Sequence, residues 1–258
     1  EHKFIKGQPD TGAELADDLE LIANKFEGEI AACIVEPIAG STGILVPPKG
    51  YLNKLRKICD KHGILLIFDE VITGWGRTGS PFAAQEFNVT PDIMTLAKAT
   101  TNGVIPMGVV AIRDGIYDAV VDSAPAGTIE LFHGYTYSGI PAAVAAALAV
   151  QDIFEKEDIF NKVKEISPYF QEALHSLKDL ECVENIRGYG LLGGVDIKKK
   201  DKPGKAGFQV YKACYENGVN FKATGDALVL APPFISEKKH IDEIFDKIRK
   251  GINQHMKQ

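Results

Sequence analysis

Two short stretches of unbroken apolar sequence, Ile30 to Val35 and Ile64 to Phe68, constrain this chain more than any other feature. Each has the length of a strand and lacks the polar alternation of a strand with one wet face. Each therefore predicts a strand covered on both faces of a parallel sheet. Between them Tyr51, Leu52, Leu55, Ile58 and Cys59 recur at helical spacing, and Gly63 follows as a C-terminal stop. Strand, helix, strand in that order is a βαβ unit, which predicts an α/β fold with a largely parallel sheet. Upstream, Thr11-x-x-Glu14 reads as a capping box for a helix with Leu15, Leu19, Ile22 and Phe26 on one face. Downstream, Ile93 to Ala97 and Val109 to Ile112 continue the strand pattern, and an alanine-rich helix is expected from Pro141 to about Ile153.

The texture changes near residue 150. A helical pattern from Phe160 to Leu177 precedes two strand-like runs, a helix near Phe208 to Glu216, two more strands and a last helix. Ile241, Ile244, Phe245, Ile248 and Ile252 fall on one face of that last helix. Adjacent pairs of strands predict an α+β unit here, so the expected domains are residues 1–149 and 150–258.

Charge and cysteine content exclude several classes of function. The balance of 29 Lys+Arg against 35 Asp+Glu is mildly acidic and gives no footprint for nucleic acid. The one basic run, Lys198-Lys199-Lys200, reads as a solvated loop. Cys33, Cys59, Cys182 and Cys214 form no C-x-x-C pair and have no histidine at ligand spacing, so no metal site is expected. Reduced, packed thiols and the lack of a signal-peptide pattern or membrane-length apolar run predict a cytoplasmic protein.

In open parallel sheets functional groups collect at the carboxyl ends of strands. Asp69 and Glu70 stand there, directly after Phe68. The residues alone leave two readings: a carboxylate serving chemistry, or one that caps a loop or pairs with an arginine such as Arg77. Lys98, between Ala97 and Ala99, is likewise either a desolvated amine fit to act as nucleophile and base or a snorkelling surface lysine. Two G-x-G-x-x-G patterns, Gly74 to Gly79 and Gly188 to Gly193, invite a nicotinamide-dependent oxidoreductase reading. The acidic pair precedes the first pattern, and Gly74 comes six positions after Phe68, too far for the fingerprint turn. The second runs into a strand, so both patterns are expected to be turns.

Together, Ile34-Val-Glu-Pro37, Phe68-Asp-Glu-Val-Ile-Thr-Gly-Trp-Gly-Arg-Thr-Gly79, Ala97-Lys98 and His133-Gly-Tyr-Thr-Tyr-Ser-Gly139 resemble the class III (ω-) aminotransferases. The interval from Asp69 to Lys98, 98 − 69 = 29, suits that family. Gly40 to Gly50 and Lys61 to Phe68 look closest to its ω-amino acid–pyruvate (β-alanine–pyruvate) branch. The resemblance implies a fold-type I transferase dependent on pyridoxal 5'-phosphate (PLP), with residues 1–149 as the C-terminal part of the large cofactor-binding domain. It implies an amino group moved from an ω-amino acid or amine to pyruvate or another keto acid, in a homodimer or tetramer. A 4-aminobutyrate or ornithine type of transaminase is the near alternative.

The resemblance also implies roles. Lys98 becomes the Schiff-base lysine and proton carrier, and Asp69 the partner of the pyridine nitrogen. Val71 packs on the ring, and Thr136, with Tyr135 beside it, meets the phosphate across a dimer interface. Glu36 and Trp75 are expected as walls, each with an equal reading as a packing or paired residue. Where the family commonly carries a carboxylate-binding arginine, Phe221-Lys-Ala-Thr-Gly-Asp226 places Lys222, a point charge in place of a planar fork. The match covers only the C-terminal part of the longer family members. No phosphate-binding turn precedes Glu36, so the chain alone is expected to bind PLP poorly or to act as a non-catalytic fragment.

Overall fold

A computed structural model describes residues 3–199 and 202–256. Its first half is a four-stranded sheet in the order β1 (Ala32–Val35), β2 (Leu65–Asp69), β3 (Ile93–Leu96), β4 (Val109–Ile112). Strands β1, β2 and β3 run parallel, as the apolar runs predict, and β4 returns antiparallel to β3. A short 3-10 turn over Ala13–Ala16 leads into α1 (Asp17–Lys25), and α2 (Tyr51–His62) is the crossover from β1 to β2. Gly63 ends α2 in the left-handed conformation, φ 65°, where only glycine is free of strain. Leu52, Leu55, Ile58 and Cys59 of α2 pack on Leu66 and Phe68 of β2 in one buried cluster.

Three expectations need correction here. Strand β1 is not covered on both faces: Cys33 and Val35 pack toward α2, while Ile34 on the other face is 62% exposed. As an edge strand it has a neighbour on one side only, and no element of the described chain lies over that face. The capping box is replaced by a closer contact, in which the Gly12 N–H donates to the Glu14 carboxylate at 3.1 Å. Leu15 and Ile22 do not line a buried stripe; Ala16 and Ala23 are the buried residues of that helical stretch, with Leu19 packed against the same cluster.

After β2 come α3 (Ala83–Glu86), β3, β4 and α4 (Asp114–Ser123), which buries no residue. Residues 125–140 are exposed throughout. Then α5 (Pro141–Lys156) and α6 (Ile159–His175) lead to the second sheet, order β5-β6-β8-β7, all antiparallel. Its strands are β5 (Val183–Tyr189), β6 (Leu192–Ile197), β7 (Lys222–Thr224) and β8 (Ala227–Leu230). Helices α6, α7 (Lys205–Glu216) and α8 (Lys238–Met256) cover it around Phe170, Leu174, Ile186, Val195, Leu228 and Ile248, all fully buried. The expected stripe on α8 is the one buried, with Ile241, Ile248 and Ile252 at 0% exposure. Lys198 and Lys199 lie in the loop after β6, and Lys200 lies outside the described residues. No helix among the described residues is long and apolar enough to cross a membrane.

The second sheet gives the division at 149/150 its motive, and we propose α5 as the connecting element. Val150 and Phe154 of that helix already belong to the second core. Arg187 ties the halves together: its Nη1 and Nη2 reach Asp196 at 2.5 and 2.8 Å, and its Nε donates to the Gly43 carbonyl at 2.8 Å. Arg187→Met removes all three bonds and leaves a partly buried carboxylate unpaired. Urea unfolding is expected to show a loss of about 1–3 kcal/mol, and an unchanged midpoint refutes that role.

Candidate active site

Parallel pairing decides where the chemistry gathers. Asp69 ends β2 and is the register partner of Thr95 in β3, so Lys98, three residues after Thr95, leaves the sheet at the same end. Lys98 adopts φ 47°, the left-handed region in which a non-glycine residue is strained. Its carbonyl accepts from the Thr101 and Gly103 N–H groups, both at 3.3 Å, which closes the turn and holds that conformation. The side chain is exposed to solvent in the described chain, in contrast to the limited solvent contact its neighbours suggest. Small neighbours such as Ala97 and Ala99 have too little side chain to cover a lysine.

Lys98 opens into a cavity of about 660 Å³, within the range of small-molecule sites. The sheet edge contributes Val71, Ile72, Lys98 and Asn102; α5 contributes Ile153 and Phe154; and the second sheet contributes Lys222 and Val229, with Phe234 and Ile235 beyond it. The cavity therefore lies between the two sheets. Of the residues proposed from the sequence, Lys98, Val71 and Lys222 share it.

Asp69 stands just behind. Its Oδ1 accepts the Val71 N–H at 3.0 Å, which fixes the carboxylate beside the residue that does line the cavity. Glu36 faces a neighbouring cavity of about 600 Å³ and accepts the Gly40 N–H at 2.9 Å. Trp75 packs edge-on against Phe82 and Phe154, and its Nε1 donates to Thr100 Oγ1 at 3.0 Å. It acts on the cavity through Phe154. Tyr135 and Thr136 lie in the exposed stretch, where the Thr136 hydroxyl donates to the Gly134 carbonyl at 3.0 Å. The described chain does not bring either of them to Lys98.

Glu70 plays a part that the sequence left open. It is fully buried and accepts from the Ala83 and Ala84 N–H groups at 2.7 and 2.8 Å and from the Thr73 hydroxyl at 3.0 Å. Burial pushes its carboxyl above the ordinary glutamate value, against the three donors. So Glu70 folds the glycine-rich loop back onto α3, and Arg77 pairs with neither member of the acidic pair. The loop is pinned again by the Leu191 N–H, which donates to the Arg77 carbonyl at 2.9 Å. Gly190 has φ 56°, and a Cβ there would overlap that carbonyl. The second glycine pattern is thus the β5–β6 hairpin, and the first is a loop that opens no long helix. A dinucleotide-binding turn is absent from both.

Arg77, Phe154 and Phe234 are cavity residues that the sequence did not mark for that role. For Arg77 the available signal was a lone cation among glycines; the two phenylalanines read as core.

A family model described as aminotransferase class-III matches residues 2–252. The chain is 50% identical over 251 residues to the ω-aminotransferase of Caulobacter vibrioides, covering 96% of this chain and 57% of that protein. It is 44% identical to the ω-amino acid–pyruvate aminotransferase of Pseudomonas putida, covering 97% and 57%. It thus spans a little over half the length of these curated relatives. Among solved structures it superimposes on an (S)-enantioselective ω-transaminase from Thermomicrobium roseum with TM-score 0.88 and 35% identity, over 95% of this chain and 55% of that one.

Glu70→Gln tests the loop's anchor. An amide nitrogen in place of one carboxylate oxygen sets donor against donor at Ala83 or Ala84. Urea unfolding at neutral pH is expected to show destabilisation of about 1–3 kcal/mol; equal stability rules out the anchoring role.

Proposed function

The chain belongs to the class-III aminotransferases, and from that premise we propose that it carries the catalytic lysine of a PLP-dependent transaminase. The reaction moves an amino group from an ω-amino acid or amine to pyruvate or another keto acid. The observation that carries this reading is the pairing at one sheet edge: a strained lysine opening into a mostly apolar cavity, with a strand-end carboxylate directly behind the cavity wall. The fold and the similarity to ω-amino acid–pyruvate enzymes support it.

The residues present fit the cofactor. An amine, a carboxylate one strand away and apolar walls at Val71 and Ile72 are what a charged aromatic aldehyde requires. When bound, PLP supplies a ring that takes up the negative charge developing as a proton leaves the substrate carbon. Lys98 Nζ holds the cofactor and then moves that proton, a role suited to an amine with its own mobile hydrogens. Asp69 keeps the proton on the ring nitrogen, since opposite charges away from water stabilise each other. Val71 would pack on the ring, and Glu36, through Gly40, and Trp75, through Phe154, shape the surrounding wall. Lys222 offers a charge to a substrate carboxylate.

Thr136 and Tyr135 serve the cofactor phosphate of a neighbouring subunit. The large exposed side chains around them, Phe132 at 95% and Tyr137 at 86%, support an assembly of two or four copies that covers this stretch. Cysteines that stand outside any disulfide support a cytoplasmic setting.

In the full-length protein supplied with PLP, Lys98→Ala is expected to lose the visible absorbance band of the wild type. Amino transfer should fall by about 10²–10⁴-fold or more. A variant with the same band and rate rejects the reading.

A further inference from the structure

We propose that Arg77 binds the carboxylate of the keto-acid acceptor and thereby sets the preference for keto acids over uncharged aldehydes; this rests on the transaminase reading above. Three cations, Arg77, Lys98 and Lys222, line the cavity, and no aspartate or glutamate does. The rest of the lining is mainly apolar. A positive, poorly hydrated pocket of this kind concentrates small anions. Lys98 is committed to the chemistry, which leaves two cations for recognition.

Arg77 differs from the other arginines of the chain. Arg56, Arg113 and Arg187 each pair with an aspartate within 3.1 Å, and Arg249 sits at the surface on Ser176. Among the described residues no carboxylate lies within ion-pair distance of the Arg77 guanidinium. Its Nη1 donates to the Pro232 carbonyl at 2.6 Å, and its Cζ lies 4.3 Å from the centroid of the Phe234 ring. Phe234 lines the same cavity. These contacts set the guanidinium against an aromatic face and occupy only Nη1, at a residue that lines the cavity. Burial lowers its pKa to about 10, so it stays charged at neutral pH.

A held, planar fork suits a planar carboxylate through two parallel bonds, whereas the exposed Lys222 supplies a screened point charge. The backbone of the loop is itself fixed by Glu70 at its start and by Leu191 at Arg77. Arg77 therefore arrives preorganised, with little ordering left to oppose binding.

The test uses the full-length, PLP-loaded protein with Arg77→Gln, Arg77→Lys and Lys222→Met, and compares pyruvate with propanal as amino acceptor. Arg77→Gln is expected to raise KM for pyruvate about 30-fold or more, as loss of a charged partner does. Turnover of propanal should stay within about threefold. Arg77→Lys should fall between wild type and Arg77→Gln for pyruvate, because it keeps the charge and loses the fork. Calorimetry with propionate, which needs no turnover, should show binding to wild type that Arg77→Gln loses.

Equal losses with pyruvate and propanal would make Arg77 a structural residue and overturn the proposal. So would a KM effect carried by Lys222→Met alone, or a weaker hold on PLP with the pyruvate KM unchanged, which assigns Arg77 to the cofactor phosphate. A wild type that transfers no amino group sinks the transaminase reading, while propionate binding still decides the role of Arg77.

Discussion

The parallel register of β2 and β3 is the constraint on which everything else rests. Because Asp69 pairs with Thr95, the chain leaves β2 at a carboxylate and leaves β3 toward a lysine on the same edge. A slip of one residue would turn every side chain of the strand to the opposite face and take Asp69 away from the cavity side. Phe68 and Leu66, both at 0% exposure, forbid that slip, since it would drive them out of the cluster with α2. Burial of two apolar side chains, about 1.5–3 kcal/mol each, thus fixes the position of a polar group that contributes little to stability itself.

A sheet edge alone does not make a cavity; the second sheet closes it. Three of the polar ties between the halves flank the cavity: Arg187 on the Gly43 carbonyl, Leu191 on the Arg77 carbonyl, and Arg77 on the Pro232 carbonyl. All three end on backbone oxygens, which side-chain changes cannot remove. The glycine-rich loop from Val71 to Phe82 passes between them. Its conformation depends on Glu70, whose carboxyl group is tolerated in a buried position because two backbone N–H groups and a hydroxyl point at it. Adjacent acidic residues therefore do different work: Asp69 stands behind the cavity wall on the Val71 N–H, and Glu70 builds the loop beside it.

What was legible in the sequence was local. The apolar run of β2, the α2 stripe ended by Gly63 and the buried face of α8 each follow from spacing within a dozen or so residues. That Asp69 and Lys98 belong to one site is suggested only by resemblance, because the residues around each leave two readings open; the register brings them to the same end of the sheet. Surface coverage was not legible: the runs of β1 and β2 look alike, yet one face of β1 is open and β2 is buried on its inner side. Position in the sheet, edge or centre, makes that difference, and composition does not carry it. The antiparallel return of β4 was hidden for the same reason. The meeting of Arg77 with Phe234, more than a hundred and fifty positions apart, depends on how two sheets dock and has no local signature.

That docking also explains why three cations can share one cavity. Repulsion between like charges is weak where solvent reaches them, and Lys98 and Lys222 are both exposed in the described chain. Arg77 is the more enclosed of the three and rests on an aromatic face that offsets part of its lost hydration. An anion entering the cavity meets a screened charge on either lysine, worth about 0–1 kcal/mol. At the guanidinium it meets a charge-assisted bond in a drier setting, worth about 1.5–3 kcal/mol. On the proposed function, discrimination between a charged and an uncharged acceptor concentrates at the residue that water reaches least. The lysine that stands in the expected carboxylate-binding place can then be the weaker of the two anchors without leaving the site indifferent to charge.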